Sequence, residues 1–152
     1  MKIHAYIGCL LLALALVAPA TAAARSCELR IEGNDAIQFD KSELVVEADC
    51  TEVKLVLVHT GKLPLEQMGH NWTLTKTADW KAVAQAGQGA GLESDYLPPG
   101  DDRIIVNTDM VGGGESASVT FDVSKLQQGG DYTFFCSFPG HWPLMNGKLI
   151  VK

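Results

Sequence analysis

The sequence has 152 residues, 47% of them hydrophobic and 20% charged, and a formal net charge of −6 at pH 7. That acidity argues against binding nucleic acid or an anionic membrane surface through charge. No apolar run reaches the length of a lasting transmembrane helix.

The first residues read as an export signal. Lys2 gives a positive start, Ala5 to Val17 is almost wholly apolar, and "APATAAA" ends in the small residues that a signal peptidase needs. Cleavage is expected after about Ala24. Cys9 stands at the start of the apolar stretch rather than after it, which argues against a lipid anchor. The expected organisation is therefore a signal peptide over 1–24 and one domain over 25–152, enough chain for a single sizeable core. Removing the signal takes the net charge from −6 to −7, since Lys2 is its only formal charge.

Three cysteines remain, Cys27, Cys50 and Cys136, in a chain expected to meet an oxidising compartment. Cys27 and Cys50 each border an expected strand near the mature N-terminus, and a bridge between them is expected to contribute about 3 kcal/mol. Cys136 is then an odd thiol that something must protect or use.

From there the chain is a succession of short segments rich in β-branched and aromatic residues: "CELRIEG", "AIQFD", "ELVVEA", "EVKLVLVH", "NWTLTK", "RIIVNT", "SASVTFDV", "YTFFC" and "GKLIVK". This rhythm predicts an all-β antiparallel sandwich. Val53, Leu55 and Leu57 alternate with Glu52 and Lys54, placing one face of that strand in the core. His59 shares their parity and reads as a core histidine with a hydrogen-bonded ring. Val56 and Val58 suggest that parts of the sandwich are covered on both sides. In "TADWKAVAQAGQGAG", Trp80, Val83, Ala84 and Gly87 fall at helical spacing, with Thr77 as a cap, which predicts one short inserted helix. "MVGGGES" lacks the lysine of a phosphate loop and reads as a strand-connecting turn.

The chemistry gathers in "CSFPGHWPLM", residues 136 to 145. Cys136 ends a strand, and Pro139 and Pro143 stiffen the return to the last strand. His141 and Met145 are thereby held in a fixed relation to Cys136. Upstream, His70 stands at another strand start. One thiolate, two imidazoles and a thioether suit copper moving between two oxidation states, and this combination defines the blue-copper electron-transfer site.

These residues resemble the azurin family of bacterial periplasmic blue-copper proteins, within the cupredoxins. The likeness runs from "SCELRIEGNDAIQFD" through "QMGHNWTLTKTADW" and "SVTFDVSKL" to "YTFFCSFPGHWPLMNGKL". It implies a Greek-key β-sandwich and one copper ion, Cu(I)/Cu(II), with His70, Cys136 and His141 as equatorial ligands. Met145 would be a distant axial ligand, with the Gly69 carbonyl opposite. Cys27 and Cys50 match the family's disulfide.

The resemblance also implies that Asn71 ties the two ligand loops together with Ser137 as partner, that Phe138 excludes water, and that Trp72 is a central core residue. With both axial directions blocked, such a site passes electrons and is not that of an enzyme. His141 is expected to present its edge as the electron's exit. Leu63, Pro64, Met68, Phe138, Pro139, Trp142 and Leu144 would form an apolar patch for brief redox encounters.

Implied partners are c-type cytochromes or periplasmic reductases and dehydrogenases of a Gram-negative bacterium, with the protein monomeric or weakly self-associating. The family usually carries small residues after the second histidine, where Trp142 and Pro143 stand here. Trp142→Ala is accordingly expected to alter exchange with partners and leave the copper colour intact. Three rival readings use the same residues. A cysteine hydrolase pairing Cys136 with His141 leaves His70 and Met145 unexplained. A copper chaperone needs a looser loop, and a zinc site makes poor use of methionine.

Overall fold

The computed structural model describes residues 25–152; the expected signal peptide over 1–24, with Cys9, lies outside the described residues. All nine predicted strand segments form strands, shared between two sheets. The first sheet has the order β2 (Gln38–Phe39), β1 (Ser26–Asn34), β4 (Glu52–His59) and β7 (Ser116–Asp122). The second has the order β3 (Glu43–Val46), β9 (Asn146–Val151), β8 (Tyr132–Phe135), β5 (Thr73–Lys76) and β6 (Ile104–Asn107).

The expected purely antiparallel pairing needs correcting, because β1 pairs parallel with β4 and β3 parallel with β9. Connectivity supplies the reason. After the β1–β2 hairpin the chain crosses to the second sheet as β3, then returns to the first beside β1, so that β1 and β4 run the same way. The cross-overs between sheets build the Greek-key sandwich that the sequence implies.

Alternation in β4 buries Val53, Leu55, Leu57 and His59. Val53, Leu55 and Leu57 meet Ile31, Trp72, Leu74, Phe121, Phe134 and Leu149 between the sheets, and Cys27 joins Cys50 in a disulfide across the β1 and β4 ends of this core. The doubly covered strands are β5 and β8 rather than β4, whose Val56 and Val58 are only half-buried. Their second cover is α2 (Trp80–Gly87), whose Val83 and Ala84 pack with Leu97 and Phe135 in a separate small core.

Thr77 does not cap α2; Asp79 holds that position. The Thr77 hydroxyl instead bonds Asp131 Oδ1 at 2.7 Å and Thr133 Oγ1 at 2.8 Å, linking the strand ends. A single helical turn, α1 (Leu65–Met68), was not expected. Its four residues are too few to show helical periodicity in a sequence. The "MVGGGES" segment is a turn, closed by the Glu115 N–H on the Gly112 carbonyl.

Candidate metal centre

Two loops at one end of the sandwich carry the candidate residues. The first leaves α1 at Gly69 and enters β5 through His70 and Asn71; the second leaves β8 at Cys136 and returns to β9 through Met145. The Phe138-Pro139-Gly140-His141 segment makes a tight turn, with the His141 N–H donating to the Phe138 carbonyl at 3.0 Å. Gly140 has φ +81°, the left-handed conformation that a turn with proline at its second position asks of its third. The His141 carbonyl then accepts from Leu144 and Met145 N–H at 2.9 and 2.8 Å, and the Cys136 N–H donates to the Met145 carbonyl at 3.0 Å. The two prolines thus sit within a hydrogen-bonded ring of backbone, which fixes Cys136, His141 and Met145 together.

His70, Cys136 and His141 converge with their donor atoms all within 4.8 Å of one another. Cys136 Sγ lies 3.8 Å from His70 Nδ1 and 3.7 Å from His141 Nδ1. Nitrogen and sulfur donors holding one first-row ion at about 2.0–2.1 and 2.3 Å lie about 3.8 Å apart when ion and donors share a plane, and about 3.5 Å apart in a tetrahedron. The observed separations lie nearer the planar value. Sγ is also 3.8 Å from the Gly69 carbonyl, and Met145 is fully buried in the same cluster as Cys136. A Cβ on Gly33 would lie 2.7 Å from His70 Cδ2 and 3.4 Å from Met145 Cε, so the end of β1 can approach both side chains only as glycine. Donors of this softness at this spacing fit a single copper ion.

Their protonation is set by burial. Desolvation holds His70 and His141 at about 4, so both rings are neutral at ordinary pH. The same effect pushes the Cys136 thiol up to about 12, although backbone N–H groups of Asn71 and Phe138 pull the other way. His70 Nε2 faces the Asn34 carbonyl at 2.9 Å, and a carbonyl only accepts. The proton therefore sits on Nε2 and leaves the Nδ1 lone pair directed at Sγ. His59 stacks on His70 with centroids 4.2 Å apart; its Nε2–H donates to the Met68 carbonyl at 2.8 Å, and its Nδ1 accepts from Gly61 N–H at 3.0 Å. The core reading of His59 thus holds, with both nitrogens satisfied.

Asn71 links the loops twice over. Its Oδ1 accepts the Ser137 N–H at 2.8 Å, and its Nδ2 donates to Ser137 Oγ at 2.8 Å. The Ser137 hydroxyl in turn donates to the Asp95 carbonyl, to which Asn71 Nδ2 also reaches at 3.4 Å. Phe138 lies over the His141 ring, centroids 4.6 Å apart, and is itself backed edge-on by Tyr96.

Sequence reasoning missed Asn34, Asp95 and Gln88, whose Nε2 donates to the Ser137 carbonyl at 3.3 Å. Asn34 and Asp95 act through backbone carbonyls, which carry no signature of residue type; Asp95 and Tyr96 both adopt left-handed backbone, with φ +53° and +51°.

The apolar surroundings differ from expectation in three places. Leu63, Pro64, Pro139 and Leu144 are exposed, Leu144 to 68%. Phe138 is buried over His141, Met68 is half-buried, and Trp142 is half-buried against Trp80 instead of standing free. The expected open edge of His141 is also reduced: the residue is 3% exposed, against none for His70 and Cys136. Packing by Phe138 accounts for that covering.

The chain matches, over residues 25–152, the family described as copper binding proteins of the plastocyanin/azurin family. It is 53% identical over 143 residues to an azurin of Bordetella pertussis, covering 94% of each chain. It is 53% identical over 124 residues to an azurin of Alcaligenes faecalis, covering 82% of this chain and 97% of that one. It is also similar to a solved azurin (Az-iso2) of the obligate methylotroph Methylomonas sp. strain J, with a TM-score of 0.80 and 40% identity over 83% of this chain and 98% of the other.

Proposed function

Because this chain belongs to the plastocyanin/azurin family of copper-binding proteins, we propose that His70, Cys136 and His141 hold its copper as the strong ligands, with Met145 and the Gly69 carbonyl as weak ones on either side. The protein is an electron-transfer protein and not an enzyme. Its bound type 1 copper supplies a one-electron couple between Cu(I) and Cu(II). The observation that carries the ligand assignment is the convergence of two neutral Nδ1 atoms on Cys136 Sγ at 3.7 and 3.8 Å, with every donor residue buried.

The residues around the site hold it still and dry. Asn34 fixes the His70 tautomer, and Asn71 and Ser137 keep the ligand loops from separating. Backbone N–H groups of Asn71 and Phe138 stabilise the thiolate, and Phe138 keeps water from His141. A site braced in this way changes shape little between charge states. A copper chaperone would need the looser loop that these bonds oppose.

His141 is the strong ligand nearest the surface, and electrons enter and leave by its covered edge. Pro139 and Leu144 in the second loop, with Leu63 and Pro64 just before α1, supply exposed apolar surface. The redox partners we propose are c-type cytochromes and periplasmic reductases or dehydrogenases, which would meet this surface briefly. The chain would reach the periplasm through a signal over residues 1–24, leaving 25–152 as the mature domain.

The test is the visible and electron paramagnetic resonance spectrum of the mature protein after addition of copper(II). Intense blue absorption with a narrow copper hyperfine splitting is the expected outcome. A pale spectrum, with copper lost to a mild chelator, would overturn the ligand assignment.

A further inference from the structure

The two strong ligands of the second loop are each flanked by an aromatic residue: Phe135 directly precedes Cys136, and Trp142 directly follows His141. Both flanking rings meet one side chain. Trp80, the first residue of α2, lies 6.1 Å from the Phe135 ring at an interplanar angle of 46°, and 5.6 Å from the Trp142 ring at 75°. These separations are those of favourable aromatic pairs. The three rings belong to the small core under α2, separate from the main core between the sheets.

The far end of the same helix also reaches the loop. Gln88 Nε2 donates to the Ser137 carbonyl at 3.3 Å and to the Ala84 carbonyl at 3.0 Å. Asn71 holds the loop from the β5 side, and α2 holds it from the other.

We infer that Trp80 is a positioning residue for the metal site, acting through Phe135 and Trp142 to fix the separation of Cys136 from His141. Lengthening the distance between the two ligands requires Phe135 or Trp142 to part from the Trp80 ring. The tryptophan after His141 therefore braces the site, where the sequence alone placed it in a partner-facing patch. On this reading Trp142→Ala does alter the copper spectrum, contrary to the expectation from sequence. The inference rests on the ligand assignment proposed above.

Its test compares Trp80→Ala, Trp142→Ala, the double variant and Trp80→Phe with Val83→Ala, which weakens the same small core without changing a ring on the loop. Each is loaded with copper(II), and its visible and electron paramagnetic resonance spectra, its copper release to a chelator and its metal-free unfolding are measured. Trp80→Ala and Trp142→Ala are expected to shift the spectra and to speed release about two- to tenfold, the ratio that the loss of an aromatic pair allows. The double variant should release copper no faster than Trp80→Ala, because that variant has already cut the contact that Trp142→Ala removes. Trp80→Phe and Val83→Ala should keep the parent spectrum.

Parent spectra and release in both Trp80→Ala and Trp142→Ala would overturn the inference, as would a Val83→Ala shift equal to theirs. Should Trp80→Ala not fold, Trp142→Ala and Trp80→Phe carry the comparison. A parent protein that is not blue would instead overturn the ligand assignment.

Discussion

Replacing Asn71 with alanine removes two hydrogen bonds of 2.8 Å and the weaker contact to the Asp95 carbonyl in a place that water does not reach. The Ser137 N–H loses its acceptor and stays buried, and an orphaned buried donor costs about 1–3 kcal/mol. The bond to the Ser137 hydroxyl adds about 1 kcal/mol, giving a total of about 2–4 kcal/mol. For a domain spanning residues 25–152, an unfolding entropy of about 2.1 cal/mol/K per residue converts this into a melting point about 7–15 °C lower. Calorimetry of the metal-free protein is the appropriate assay, since copper would add its own stabilisation. Ser137→Ala is the internal control. It keeps the N–H bond to Asn71 Oδ1 but loses the hydroxyl's bonds to Asn71 Nδ2 and the Asp95 carbonyl, and its melting point is expected to fall by no more than that of Asn71→Ala. An Asn71→Ala melting point within about 3 °C of the parent, or a larger loss in Ser137→Ala, would refute the claim that this bridge ties the ligand loops.

Copper uptake should release about one proton at pH 7, from a thiol held at about 12 beside two neutral rings, and about two near pH 4 where each ring is half-protonated. Calorimetric titration in buffers of different ionisation heat counts them, and no release at pH 7 would exclude Cys136 as a ligand. The metal-free protein should lose stability as pH falls from about 6.5 to about 4, because the unfolded chain takes up protons at His70 and His141 before the folded one does. The slope should reach at most about 2.7 kcal/mol per pH unit; denaturant titrations that stay flat across this window would contradict the burial argument. Replacing Cys27 and Cys50 by alanine opens a link of sequence separation 23 and should cost about 3 kcal/mol. The blue spectrum should survive, since Cys27 lies at the opposite end of β1 from Asn34, and denaturation together with absorption checks both points.

The strands were legible because their alternation is local: in β4, Glu52 and Lys54 face out while Val53 and Leu55 face in. The direction of pairing was not, since whether β1 runs with or against β4 depends on where β3 goes between them. Cys136, His141 and Met145 could be read together because a short loop holds all three, and His70 because its residue type completed the set. Thr77 misled because a hydroxyl shortly before a helix suits a cap and a cross-strand bond equally, and Asp131 and Thr133 lie far off in sequence. Trp142 misled for a similar reason. Its neighbour in sequence is the proposed ligand His141, whereas its neighbour in space is Trp80.

The bond between His70 and the Asn34 carbonyl also has a bearing on the order of assembly. A chain still folding offers a metal only the donors of one loop, Cys136, His141 and Met145. His70 joins them when β5 pairs with β8, which sets Thr73 opposite Phe135, and its ring is oriented only once β1 has brought Asn34 to the same end. The complete donor set is therefore in place only once these strands have paired. The colour of the bound ion is in this sense a report that both sheets have closed.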